Sequence, residues 1–154
     1  MRNLFLFIFP LAYIFSLQLA ALNLEQLELE DGFEISIYAD NLDAPRQMVE
    51  GEDGTIFVAE KGGQILALID ADKNGQVDSK IIVAKGLTLS TGLSLFDGDL
   101  YFSEISKIWK INNIEDWLRN QTDINELPNK NLVIDELPDD AWHGWKWLQH
   151  DQQG

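Results

Sequence analysis

The sequence predicts an all-β fold of the partial β-propeller type, and three observations carry the prediction. First, Asp53-Gly54-Thr55-Ile56-Phe57-Val58-Ala59-Glu60 returns 44 residues later as Asp97-Gly98-Asp99-Leu100-Tyr101-Phe102-Ser103-Glu104. Second, the segments that follow also match, Gln64-Ile65-Leu66-Ala67-Leu68 against Lys107-Ile108-Trp109-Lys110-Ile111. Third, the matching pieces are short and β-type, and a period of about 40 to 50 residues built from such pieces marks propeller blades. A third unit opens at Gly144-Trp145-Lys146-Trp147-Leu148, and Gly154 falls where Gly54 and Gly98 stand in the earlier units. The expected architecture is a closing strand, two four-stranded blades and the start of a third. Blades bury their faces mainly against other blades, so residues 27–154 read as the N-terminal part of a larger propeller.

The elements follow in order. Residues 1–21 carry Arg2, an apolar run from Leu4 to Phe15 and the small pair Ala20-Ala21, the layout of a secretory signal peptide. An uncleaved anchor is the alternative, because the apolar stretch approaches spanning length. Either way a periplasmic or secreted body is expected. Phe33-Glu34-Ile35-Ser36-Ile37-Tyr38-Ala39 alternates apolar and polar residues and is the expected closing strand. The first blade is predicted over residues 47–50, 55–60, 64–69 and 79–84, and the second over 92–96, 99–104, 107–111 and 131–135. Glu52-Asp53-Gly54 and Lys61-Gly62-Gly63 supply tight hairpins. The two blades are expected to pack through Ile56, Val58, Leu66, Leu68, Leu93, Leu95, Leu100 and Ile108. Between the last two strands an insertion holds a short helix over Ile114-Glu115-Asp116-Trp117-Leu118, with Asn113 as N-cap, read as a surface elaboration.

Composition excludes several functions. A formal charge of −15, from 26 acidic and 11 basic residues, opposes nucleic acid and anionic membrane surfaces, whose binding rests on basic patches. The chain has no cysteine, which removes disulfides and thiol nucleophiles and is compatible with an oxidising compartment. No phosphate loop, nucleophile elbow or dinucleotide fingerprint is present.

Two local patterns carry chemistry. In Asp70-Ala71-Asp72-Lys73-Asn74-Gly75-Gln76-Val77-Asp78, oxygen ligands alternate from Asp70 through Asp72 and Asn74, followed by Gln76 (through its carbonyl) and Asp78, with Gly75 at the turn. Calcium takes six to eight such hard oxygens. Ile81 occupies the place of an EF-hand's bidentate glutamate, so calcium would be bound weakly here. The competing reading is a metal-free turn whose carboxylates cap backbone N–H groups. The second pattern is Trp142-His143-Gly144-Trp145-Lys146-Trp147, expected on the innermost strand of the third unit, where His143 could act as a general base. The competing reading makes His143 a structural hydrogen-bonding group and the tryptophans inter-blade packing. His150 has no better claim by position.

These blocks, together with Gly32-Phe33-Glu34-Ile35, Lys85-Gly86-Leu87 and the run from Gly98 to Ile105, resemble the glucose/sorbosone dehydrogenase family. The resemblance covers essentially everything after the leader. It implies a six-bladed, PQQ-dependent sugar dehydrogenase of the periplasm, with a small-molecule sugar or aldehyde as substrate. It also implies His143 as the base that takes the hydroxyl proton, while the cofactor supplies the redox chemistry. Ser90-Thr91-Gly92 stands where the soluble glucose dehydrogenases have a glutamine near the quinone. The family's basic cofactor ligands lie in later blades, so none is assigned in this segment, and the fragment is expected to be inactive. A non-enzymatic, calcium-stabilised propeller binding module is the alternative from another class.

Overall fold

The computed structural model describes residues 24–140, 142 and 144–151. The leader expected over 1–21, His143 and the Gly154 equivalence lie outside the described residues. The chain divides into two compact units, 1–35 and 36–154. In the first, a 3₁₀ turn at Leu24–Gln26 precedes a bend in which Phe33 N–H donates to Glu30 C=O at 3.2 Å.

The second unit holds two four-stranded antiparallel sheets, each with its strands in chain order. The first comprises β1 (Pro45–Glu50), β2 (Ile56–Glu60), β3 (Gln64–Ile69) and β4 (Ser79–Lys85). The second comprises β5 (Leu93–Phe96), β6 (Asp99–Ser103), β7 (Ile108–Ile111) and β8 (Asn131–Ile134), with α1 (Ile114–Asn120) between β7 and β8. Sequential meanders of this kind are propeller blades. The repeat holds down to single bonds. Lys61 N–H donates to Ala44 C=O at 3.2 Å, and its equivalent Ile105 N–H donates to Thr88 C=O at 3.1 Å. Glu60 Oε1 accepts from Asp43 N–H at 2.6 Å, and Glu104 Oε1 from Thr88 N–H at 2.9 Å. The register slips at Ile65/Leu66 in one blade and at the matching Ile108/Trp109 in the other.

The packing corrects one expectation. Phe57, Ala59, Ile65 and Ala67 of the first blade, not Ile56, Val58, Leu66 and Leu68, share a buried core with Leu93, Leu100, Phe102 and Ile111 of the second. Leu95 packs against the same core, and Ile108 is only partly buried. Val58, Leu66 and Leu68 form a separate cluster on the opposite face, beneath Tyr38, Ala39 and Leu42. Both faces of β2 and β3 are apolar, so alternation could not say which one meets the neighbour.

Three further expectations change. Residues 33–39 form no strand. A strand needs a ladder partner, whereas here Tyr38 C=O takes a single bond from Val77 N–H at 3.0 Å. The third unit's 144–151 is also not a strand, and side chains hold it instead. Finally, α1 is more than a surface elaboration: Ile114 is fully buried, and Trp117 and Leu118 pack on the inter-blade core. Asn113 occupies the N-cap position at φ 45°, but its side chain makes no cap bond.

Candidate functional site

Among the described residues, the chemistry-bearing groups gather in two places. The first is the loop between β3 and β4. Asp70, Asp72 and Asp78 each direct a carboxylate oxygen into one cluster whose members lie within 4.8 Å of one another. Local sequence dictates that convergence. Asp70 accepts from Asn74 N–H at 3.1 Å and from Gly75 N–H at 2.8 Å, Asp72 accepts from Asn74 N–H at 3.1 Å, and Asp78 accepts from Ala71 N–H at 2.8 Å. Lys73 at φ 57° and Gly75 at φ 85° turn the backbone back on itself. Asn74 directs its side chain elsewhere, its Oδ1 accepting from Gln76 N–H at 2.9 Å and its Nδ2 donating to Asp72 at 2.9 Å. Of the five candidate metal ligands, three are thus gathered, and Asn74 and Gln76 are tied into the turn. Both readings of the loop survive in one geometry: the carboxylates cap N–H groups, and they converge as a cation would require.

The second place is the inner edge of the blades. Residues 144–150 run beside β5, and polar side chains bind every second residue. Thr91 Oγ1 donates to Lys146 C=O at 3.1 Å and accepts from Lys146 N–H at 3.2 Å. The Gln47 amide bridges Leu93 and Leu148, its Nε2 donating to the two carbonyls at 2.7 Å and 3.0 Å. Ser94 Oγ lies 2.7 Å from His150 Nδ1. Gly92 permits the approach, since a Cβ there would stand 2.7 Å from Lys146 O and 2.9 Å from Leu148 Cγ.

This edge presents charge and aromatic surface together. Arg46 Cζ stands 4.4 Å from the centroid of the Trp145 ring and Lys61 Nζ 5.6 Å from it. A shallow pocket of about 190 Å³ is lined by Arg46, Gln47, Thr91, Trp145, Lys146 and Trp147. Trp142 and Trp147 are 87% and 75% exposed, so they pack against neither of the two blades described. His143 itself, the candidate base, lies outside the described residues. His150 is anchored by its neighbours, stacked on Phe96 at 5.1 Å and tilted against Tyr101 at 4.5 Å, beside a cleft of about 470 Å³. Sequence reading missed Arg46, Gln47 and Ser94, and gave His150 no better claim than His143. Nothing in local spacing links Gln47 to a residue 101 positions away, but the repeat alignment puts β1, β5 and 144–150 on equivalent inner edges, and that was the available signal.

No family model matches the chain. An uncharacterised protein of Borreliella burgdorferi is 29% identical over 91 residues, which are 58% of this chain and 22% of that protein. Among solved structures, the holo form of the pyranose dehydrogenase PQQ domain from Coprinopsis cinerea superposes with a TM-score of 0.64, covering 82% of this chain and 29% of that chain at 16% identity. The iodide and calcium structures of Trichoderma reesei Carbohydrate-Active Enzymes Family AA12 give TM-scores of 0.53 and 0.54, at 19% and 18% identity. They cover 70% and 71% of this chain, and each match takes in 27% of the neighbour's chain. At these identities the likeness establishes the fold: a β-propeller segment of the kind found in a PQQ domain.

Proposed function

We propose that this chain contributes the first blades of a PQQ-dependent oxidoreductase that oxidises a sugar or sugar-derived aldehyde outside the cytoplasm, in the glucose/sorbosone dehydrogenase manner. The superposition on the holo pyranose dehydrogenase PQQ domain, over 82% of this chain, is the observation that carries the reading. The inner edge fits such a cofactor in chemistry. PQQ is planar and anionic, and Arg46 and Lys61 flanking the Trp145 ring offer cations beside an aromatic face. Arg46 and Lys61 would bind carboxylate beside the Trp145 ring, and Lys146 would add charge at the same pocket. PQQ, when bound, supplies the two-electron acceptor. His143 takes the hydroxyl proton of the sugar, or of the hydrate where the substrate is an aldehyde, a task suited to a side chain whose ordinary pKa lies near neutrality.

The test is PQQ-dependent dye reduction by the whole protein that carries these blades, with aldoses and sugar-derived aldehydes as substrates. Turnover that needs PQQ and is lost in His143→Ala is expected. Failure to bind PQQ, or undiminished turnover in His143→Ala, overturns the proposal. The convergence of Asp70, Asp72 and Asp78 favours a second reading, a calcium-stabilised propeller that binds a ligand without chemistry. Calcium-dependent stability without any PQQ-dependent turnover would select it.

A further inference from the structure

The carboxamide of Gln47 is buried, with 7% of the residue exposed, between two neighbouring segments of backbone. Its Nε2 donates to Leu93 C=O at 2.7 Å and to Leu148 C=O at 3.0 Å. Its Oε1 accepts from Leu93 N–H at 3.0 Å, with Leu148 N at 3.5 Å. One side-chain amide thus bonds the backbone of both segments, which share no ladder. Thr91 does the same for Lys146, and Ser94 reaches His150. Alternate residues of the segment are therefore held against β5, which leaves Trp145 and Trp147 between them projecting to the outside, at 48% and 75% exposure. Arg46, next to Gln47 in β1, meets the Trp145 ring from that side.

We infer that Gln47 is a positioning residue: its amide sets the register of residues 144–150 against β5, and through that backbone it holds Trp145 and Lys146 beside Arg46. The inference rests on reading this pocket as the cofactor-facing surface. The chemistry is specific to an amide, because the site needs two donors and two acceptors at once. A buried amide that loses its partners leaves unpaired carbonyls on both segments.

Backbone hydrogen exchange on the 154-residue chain tests it, with amides of β2, β3 and β6 as the internal reference for the fold. Gln47→Leu, similar in volume and unable to hydrogen-bond, should speed exchange at Leu93 and across 144–150 by at least tenfold while the reference amides keep their protection. Gln47→Glu covers the case in which the leucine variant unfolds. Ionised, it has no donor; protonated, it regains one donor and one acceptor. Once corrected for intrinsic exchange, its protection at Leu93 and 144–150 should fall as the pH rises through its carboxyl titration and return on acidification. PQQ binding, followed by ligand absorbance, should weaken about tenfold in Gln47→Leu. Unchanged exchange over 144–150 in the folded leucine variant, or exchange in Gln47→Glu that follows the unaltered chain at every pH, overturns the inference. Absence of PQQ binding by the whole protein that carries these blades overturns the cofactor reading and leaves the exchange test to decide the role of Gln47 in register.

Discussion

The Glu115 carboxylate accepts the backbone N–H of Glu52 at 3.0 Å, and with its other oxygen that of Asp53 at 3.0 Å, so the helix of the second blade caps the β1–β2 turn of the first. Arg119, one turn further along, pairs with Asp53 and Asp116. The two blades are thereby joined at the rim as well as through the core. A Cβ at Gly51 would overlap the Glu115 carboxylate, so any other residue there would displace that side chain. Burial raises the Glu115 pKa, and the Glu52 and Asp116 charges push the same way against the lowering effect of the Glu52 N–H bond. The folded state therefore holds the proton more firmly than the unfolded chain. The stability linked to this group is present below its unfolded pKa and is lost as pH rises through the folded one. Comparing Glu115→Gln with the unaltered chain by urea unfolding at pH about 4 and about 7 should move the difference against the unaltered chain at the higher pH. Movement in the other direction would mean that the two N–H bonds outweigh burial.

The inter-blade core gives a sharper prediction. Phe57 is fully buried in the cluster shared by both blades. Phe57→Ala should cost about 3–5 kcal/mol, near the upper range for one truncation, and should loosen both sheets together. Leu66→Ala, on the opposite face under Tyr38 and Leu42, should loosen the first blade alone. Amide exchange read separately over β2–β3 and β6–β7 checks the pair. Equal loss of protection in β6–β7 for both variants would contradict the face assignment.

That assignment marks the limit of what sequence patterning could supply. Strand positions were legible because Asp-Gly turns and a repeated Glu punctuate each unit, and Glu60 and Glu104 make similar bonds to donors one place out of register. The facing sides of the blades were not, because Ile56-Phe57-Val58-Ala59 is apolar on both sides and offers no phase to read. The closing strand and the third inner strand failed for another reason. A pattern can say that a segment would suit a ladder, but not whether a neighbour offers one. At the candidate site the acidic loop was legible because the bonds of its carboxylates are local. Arg46 on Trp145 and Ser94 on His150 join residues that only the assembled blades bring together.

The acidic loop can be tested by metal addition. Its carboxylates are already satisfied by Asn74, Gly75 and Ala71 N–H groups, so an arriving cation must share them. Weak binding follows. At ten times the dissociation constant, calcium should stabilise the folded chain by about 1.4 kcal/mol, several degrees in melting temperature for a domain of this size. Asp72→Asn retains an acceptor for Asn74 N–H while removing a charge and one exposed bond from Asn74 Nδ2, and should abolish the shift with only a small effect on the metal-free melt. No calcium shift in the unaltered chain would assign the loop to turn formation alone.

The last prediction separates holding a cofactor from using it. The 154-residue chain carries the Arg46–Trp145 contact and the pocket beside it, and it spans 29% of the pyranose dehydrogenase PQQ-domain chain it superposes on. It should take up PQQ weakly, with Arg46→Ala reducing the affinity about tenfold, in keeping with a charge-assisted hydrogen bond lost from a carboxylate. It should nevertheless show little or no quinone-dependent dye reduction. A general base contributes about 10² to 10⁴-fold, and only when cofactor and substrate are already held within reach of it. A pocket of about 190 Å³, open on one side, confines neither. Ligand absorbance and dye reduction on the same cofactor-loaded sample measure both quantities. Turnover that survives on this chain and disappears in His143→Ala would mean that these two blades suffice, and that the remaining channel wall is not needed to bring base, cofactor and sugar together.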